Sequence, residues 1–283
     1  MTRAQKRFIT RVLFYALLLV IFVYITFPFY WTLRSSITPN NELFLTPVHY
    51  WPENPTLLNY QLVLSDNTFV KALLNSAVVA VSVTVLSLVI GVLGSYALGR
   101  FRFQGRMPIM YLILSMTMFP QIAVLGALFQ RVTQFGLYNT LWALILTYLI
   151  FTLPFTVWVL TSFFEAMPRD LEEAAYVDGA TPLQTMYKVM LPLVAPGLVT
   201  TGLLAFIGAW NEFLFALSFI QTPPNYTVPL ALVNFATSTA GGFEIPWGQI
   251  QAATVIVTVP LLVLTLIFQR RILAGLTAGA VKG

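Results

Sequence analysis

Residues 141–163 read LWALILTYLIFTLPFTVWVLTSF, 23 positions without one charged side chain. A run this apolar on every side, at about the 20 residues that cross a bilayer as a helix, belongs in lipid. Lipid offers unpaired backbone groups no partner, so a spanning segment of this kind is helical. Five more runs share the character, at 12–33, 72–99, 107–129, 197–221 and 250–268. The whole chain of 283 residues is 58% hydrophobic and 9% charged, with a mean hydropathy of +0.81. Soluble domains carry roughly 25% charge, so this chain cannot cover a globular surface with polar groups. That excludes a soluble enzyme and a disordered linker. Six crossings use about 120 residues, which leaves one or two structured loops and no separate soluble domain. The expected fold is an all-α membrane protein with six transmembrane helices in a single transmembrane domain over 1–283. The chain has no cysteine, which excludes disulfides, thiolate metal sites and cysteine catalysis.

The first run follows Arg3, Lys6, Arg7 and Arg11, as in a secretory leader. It is longer than a typical leader core, and Thr32-Leu33-Arg34-Ser35 offers no small-x-small cleavage site, so it reads as a retained anchor. Six crossings place both termini on one side, and basic residues decide which. Twelve of the fifteen fall on one face: the four just named; Arg100, Arg102 and Arg106; Arg169 and Lys188; Arg270, Arg271 and Lys282. Arg34, Lys71 and Arg131 remain for the other. Both termini are therefore expected in the cytoplasm. The formal charge of +5 reflects orientation and needs no nucleic-acid partner.

Gly91, Ser95 and Gly99 form a small-residue stripe, read first as packing within this chain and second as a subunit interface. Pro120, Pro154 and Pro260 fall inside crossings, where each removes a backbone hydrogen bond and invites a kink or break. The connection at 164–196 is far longer than two neighbouring helices need. Pro168 suits a first helical residue, Asp170, Glu172 and Glu173 complement the first turns, and Gly179 suits a left-handed cap. The spacing predicts a helix from about Pro168 to Asp178, with Leu171, Ala174, Ala175 and Asp178 on one face. Thr181-Pro182-Leu183-Gln184 reads as a capping box that opens a second short helix ending near Met190. Five acids (Glu165, Asp170, Glu172, Glu173 and Asp178) against two bases leave this loop acidic on a basic face; a solvated helix face accounts for them as well as a docking surface does.

Glu173-Ala174-Ala175, then Gly179 after three residues, then Val189-Met190-Leu191-Pro192 after nine more, resembles the EAA loop of permease subunits of binding-protein-dependent ABC importers. The one departure is Val189, where the family has isoleucine. Asn75-Ser76, Gly136-Leu137-Tyr138-Asn139-Thr140 and Trp210-Asn211-Glu212-Phe213 look like the carbohydrate-uptake branch. The tail from Gly275 to Gly283 is similar to that of the second permease of maltose-type sugar transporters, with Ala280 where those have glycine. The resemblance implies a multi-pass protein of a bacterial or archaeal cytoplasmic membrane, working with a second permease subunit, two ATP-binding subunits and an extracytoplasmic sugar-binding protein. It also implies a cytoplasmic coupling helix between helices four and five, with Glu173, Ala174, Ala175, Asp178, Gly179, Val189, Leu191 and Pro192 meeting an ATPase. Thr277, Ala278 and Gly279 of the tail would reach the ATPase interface. ATP and magnesium would sit on the partner subunits, with no cofactor bound by this chain. A phosphate-binding loop needs Lys followed by Ser or Thr; the four lysines precede Arg7, Ala72, Val189 and Gly283, so the chain carries no such loop.

Glu212 is the only acid placed inside a crossing, beside Trp210 and Asn211. An intramembrane acid suggests function, yet it also serves as packing glue near the surface. Aromatic faces with amides suit sugars, so Asn75, Trp210, Asn211 and Glu212 are the substrate-path candidates. The competing class is an ion-coupled secondary transporter with Glu212 as its ion site. A membrane-embedded enzyme is a third class, and it lacks a His, Asp or Cys constellation. The proline-rich segments 34–71 and 222–249, the latter with Gly241-Gly242, are expected on the outer face as docking surfaces for a binding protein or as simple closures of the bundle; the first is expected ordered and non-helical. His49, the sole histidine, is expected at the surface.

Overall fold

The computed structural model describes residues 3–238 and 245–280, with side chains described except at 3–4, 235–238 and 271–280. Regular structure among these residues is entirely helical. In chain order the helices are α1 (Arg3–Ser36), α2 (Leu58–Ser65), α3 (Asn67–Arg100), α4 (Arg106–Met116), α5 (Gln121–Gln134), α6 (Leu141–Glu165), α7 (Asp170–Val177), α8 (Pro182–Thr185), α9 (Leu191–Leu193), α10 (Ala195–Asn211), α11 (Leu214–Phe219), α12 (Val228–Ser238) and α13 (Trp247–Ala280). Four are long and apolar enough to cross a membrane: α1, α3, α6 and the Trp247–Arg270 part of α13.

Two expected spans are not continuous helices. The run at 107–129 breaks between α4 and α5, which meet at 95°. Pro120 has no N–H to continue the helix and forces Phe119 away from helical geometry. The last turn of α4 tightens accordingly, with Thr117 N donating to Leu114 O at 3.0 Å and Met118 N to Ser115 O at 3.1 Å. The run at 197–221 holds the 17-residue α10 and then breaks at Glu212, whose φ of −69° and ψ of 129° are extended. At about 1.5 Å per residue, 17 residues reach roughly 25 Å, short of the hydrocarbon thickness. A second bend of 80° separates Pro182–Leu193 from α10, between Pro192 and Pro196.

The described chain divides into two compact units. One comprises residues 1–67 and 232–258. Its α1 exposes apolar side chains from Phe8 to Phe29 around its circumference, as a lipid-facing span does. A polar knot closes the end of α1: Asn59 Nδ2 donates to Ser36 O and Thr38 O, each at 3.0 Å, and Gly248 N donates to Asn40 Oδ1 at 3.3 Å. Arg34 lies over the Trp31 ring and donates to His49 O at 2.6 Å. His49 itself pairs with Glu53 at 3.0 Å. Glu42 accepts from the Asn54 side chain at 2.7 Å, which holds its carboxyl below the usual glutamate range. The segment 34–71 is therefore ordered as expected but not wholly non-helical, since α2 lies within it. In the second outer segment α12 is helical, and Gly241-Gly242 lies outside the described residues.

The other unit, 68–231 with 259–283, packs α3, α4 and α10 around α6. The Gly91, Ser95 and Gly99 stripe faces α6: a Cβ on Gly91 would lie 2.7 Å from Thr156 Cγ2, and one on Gly99 would lie 2.9 Å from Phe164 Cβ. The stripe is thus internal packing, with α6 side chains seated on the glycines and the α6 backbone reached at Gly99. Gly197 meets the Phe163 ring in the same way, setting α10 against α6.

Candidate functional site

The connection between α6 and α10 is a built structure. Its first helix, α7, begins at Asp170, with Pro168 two residues ahead of it rather than in its first turn. Its end is the predicted one. Gly179 has φ of +80°, Ala180 N donates to Ala175 O at 2.9 Å and Gly179 N to Tyr176 O at 3.0 Å, the paired bonds of a Schellman cap. The Thr181 capping box is also present: Gln184 N donates to Thr181 Oγ1 at 3.3 Å, and Thr181 N donates to Gln184 Oε1 at 2.9 Å. After α8 the helix widens into a π turn at Met186–Met190 and continues as α9, past the expected end at Met190.

The faces of this loop differ from the expected ones. Ala175 is 8% exposed and turns into the protein, whereas Val177 is 87% exposed beside Glu173, Ala174 and Asp178. The shared face predicted for Leu171, Ala174, Ala175 and Asp178 is divided, because α8 and the π turn cover Ala175's side of α7. Met186, Met190 and Val194 enter a buried cluster with Val92 and Tyr96 of α3 and Leu160 and Phe164 of α6. Leu191 packs on that cluster, Val189 is half-buried and Pro192 is exposed. The apolar anchor of the motif is thus Met190 with Leu191. Its signal in the sequence was the spacing of Met186, Met190 and Val194 at i, i+4 and i+8.

Charge completes the anchorage. The Arg100 side chain is 4% exposed and that of Glu172 12%, and they pair at 2.7 Å through Nη2 and Oε2. Arg100 Nη1 also donates to the carbonyls of Phe164 at 3.0 Å and Met167 at 2.9 Å, and Nη2 reaches Pro168 O at 3.4 Å. Carbonyls at a helix C-terminus lack intrahelical donors and carry the negative end of the dipole, so a guanidinium suits them. Arg106 pairs with Glu165 nearby. Of the five loop acids two are thus held by arginines, while Asp170, Glu173 and Asp178 face outward without an ion pair among the described residues.

A second feature is a cavity of about 250 Å³ at the two helix breaks. Gln121 comes from α5; Tyr148, Phe151, Thr152, Phe155 and Thr156 come from α6; Leu204, Ala205, Gly208 and Ala209 of α10, with Glu212 and Phe215, complete it. The Glu212 carboxylate accepts from Phe215 N at 2.9 Å and Ala216 N at 3.3 Å, so it caps α11 across the break. Glu212 therefore lies outside the helix in which it was expected. Non-helical backbone at membrane depth is tolerated where it lines a cavity, and this break does. The buried Tyr148 hydroxyl, also in the lining, lies within reach of the Glu212 carboxylate.

Of the four substrate-path candidates, the cavity includes Glu212 and leaves out Asn75, Trp210 and Asn211. Trp210 is buried and stacked on Phe206; Asn211 is exposed and donates to Ile207 O at 3.0 Å. Asn75 Nδ2 instead donates to Pro224 O and Tyr226 O, each at 2.9 Å, while Ser76 Oγ accepts from Val228 N, tying the turn after α11 to the start of α3. Asn139, in a left-handed conformation at φ of +60°, accepts from Gln221 N and Thr222 N through Oδ1 and so orders the same turn. Thr277, Ala278 and Gly279 continue α13 as helical backbone, and residues 281–283 of the tail lie outside the described residues.

The profile of the family described as "Binding-protein-dependent transport system inner membrane component" matches residues 84–277, from within α3 through the cavity helices and the anchored loop into α13. The chain belongs to this family. Among relatives of this inner membrane component are the sulfoquinovosyl glycerol transport permease of Agrobacterium fabrum, 42% identical over 91% of this chain and 89% of the relative, and the trehalose/maltose permease of Thermococcus litoralis, 42% identical over 91% of each. The trehalose permease of Mycobacterium tuberculosis is also 42% identical, over 92% of this chain and 93% of its own. A bacterial ABC transporter involved in alginate import shares the fold, with a TM-score of 0.81 at 23% identity over 95% of this chain and 98% of that one.

Proposed function

We propose that this inner membrane component is one permease subunit of an ATP-driven sugar importer, and that α7 is the helix through which it is driven. The observation that carries the reading is α7 itself: a short helix capped at Gly179, fastened to α3 and α6, and presenting Glu173, Ala174, Val177 and Asp178 outward. In this reading α1, α3, α4 with α5, α6, α10 with α11, and α13 make six crossings with both termini in the cytoplasm. The positive bias of the loops supports that orientation. The family's dependence on a binding protein and the relatives' transport of sugars and sugar glycosides support the substrate class.

A second permease completes the pathway, and two ATPase subunits hold ATP and magnesium and receive α7 and the Thr277–Gly279 tail. Closure of the ATPases swings the permease helices as rigid bodies, with no bond chemistry in this chain. The cavity at the helix breaks is this subunit's part of the sugar path. Phe155 offers an exposed aromatic surface to a sugar ring, backed by the stacked pair Phe151 and Phe215, and Gln121 and Glu212 offer hydrogen bonds to hydroxyls. Trp210 and Asn211 shape the break beside it, and Asn75 fixes the outer turn that closes above. The segments 34–71 and 222–249 meet the extracytoplasmic binding protein.

The test is uptake by the purified complex in proteoliposomes, with binding protein outside and ATP inside. Uptake is expected to require both and to survive a protonophore. Gradient-driven uptake by this chain alone, lost in Glu212→Gln, sinks the reading in favour of an ion-coupled carrier.

A further inference from the structure

We propose that Arg100 is a positioning residue that locks the coupling helix α7 to the ends of α3 and α6, so that force applied to α7 moves those spans instead of bending the loop. The proposal rests on the driven-helix reading above and adds to it the element that carries the load. Arg100 ends α3, and its guanidinium bonds at once to the last turn of α6 (Phe164 O), to the following turn (Met167 O and Pro168 O) and to Glu172 of α7. Three elements thus meet on one planar group, which holds its donors in a fixed fork.

The pair is poorly explained as a stability device. Arg100 Nε is buried without a hydrogen-bond partner among the described residues, and a buried ion pair is often no better than an apolar one of the same size. What it supplies is a fixed geometry. The position is also stiff behind it, because Gly99 brings α3 against Phe164 of α6 at contact distance immediately beside the guanidinium. On the opposite side of α7, Asp170, Glu173 and Asp178 have no such pair among the described residues, so holding and docking are divided between the two faces of one helix.

Transport and ATP hydrolysis are to be measured together in proteoliposomes for the wild-type complex and for Arg100→Gln, Glu172→Gln and Arg100→Lys. With the lock opened, α7 remains seated on the ATPase but no longer drags the spans. Sugar carried per ATP is expected to fall about tenfold in Arg100→Gln and Glu172→Gln while ATPase stays within about twofold, a loss inside the usual range of coupling between sites. Arg100→Lys, which keeps the charge but not the fork, is expected to fall between these and wild type. An unchanged transport-to-ATP ratio in both neutral variants overturns the proposal. So does a parallel loss of both activities, or failure of both variants to assemble, since either marks Arg100 as merely structural. A wild-type complex without ATP-dependent uptake instead defeats the driven-importer reading and is recognised before any variant is compared.

Discussion

Gly179 and Glu212 are the two residues whose backbone setting defines what their substitutions do. At φ of +80° Gly179 is in the left-handed region, and nothing lies within 4 Å of the Cβ it lacks. A substitution there meets conformational strain, about 1 kcal/mol, and no clash. Gly179→Asn, whose side chain tolerates this conformation, is expected to keep uptake near wild type. Gly179→Asp adds a charge to an already acidic outward face and is expected to leave the chain inserted while uptake and ATPase stimulation fall together. Membrane abundance, co-purification of the ATPase and uptake distinguish these outcomes; full stimulated activity in Gly179→Asp removes α7 from the ATPase joint. Glu212 accepts two backbone N–H groups, and glutamine keeps one acceptor where alanine keeps none. Loss of a cap costs about 1 kcal/mol, so thermal unfolding of purified protein is expected to fall in the order wild type, Glu212→Gln, Glu212→Ala. Equal melting temperatures for all three contradict the capping role.

Among elements, α3 and α6 touch most tightly where α3 has glycine. Gly91→Val and Gly99→Val each drive a side chain into space held by Thr156 or Phe164, and overpacking of this kind costs about 1–3 kcal/mol. Both are expected to lower the melting temperature, whereas Gly126→Ala in α5, with open space around its missing Cβ, is expected to be neutral or slightly stabilising. Neutral behaviour of Gly91→Val and Gly99→Val denies the close approach. The broken elements follow another rule. Pro120 marks the α4 to α5 break in the sequence, but proline alone does not decide it, since α6 and α13 run on as helices through Pro154 and Pro260. The α10 to α11 break has no proline or glycine at its centre. There a carboxylate replaces the missing intrahelical acceptors, and only the fold shows that the chain turns back onto Glu212.

For the whole molecule, the orientation proposed from its charges is open to direct measurement because the chain has no native cysteine. Single cysteines at exposed Tyr50 and Gln104 report the two faces without further engineering. In intact cells an impermeant maleimide is expected to label Tyr50→Cys and to leave Gln104→Cys unlabelled until the membrane is opened. Labelling in the reverse order inverts the topology and removes α7 from the ATP side. The expectation can be stated from sequence alone because the positive bias of the loops is an additive count that needs no contact map.

The sequence by itself determined that this chain lives in lipid as apolar helices, where one acidic loop lies, and how α7 and α8 are capped. Each of these follows from local chemistry: hydropathy, capping side chains and a glycine placed to turn left-handed. Tertiary structure alone decided that Ala175 faces inward and Val177 outward, that Asn75 secures a turn more than 140 positions away while Glu212 lines the cavity, and that Arg100 is a joint of three elements. These outcomes depend on which surfaces meet across the fold. A guanidinium at the end of α3 has no distinctive partner in its own neighbourhood of sequence; its partners are 64 to 72 positions away and become visible only when α6 and α7 are brought to it.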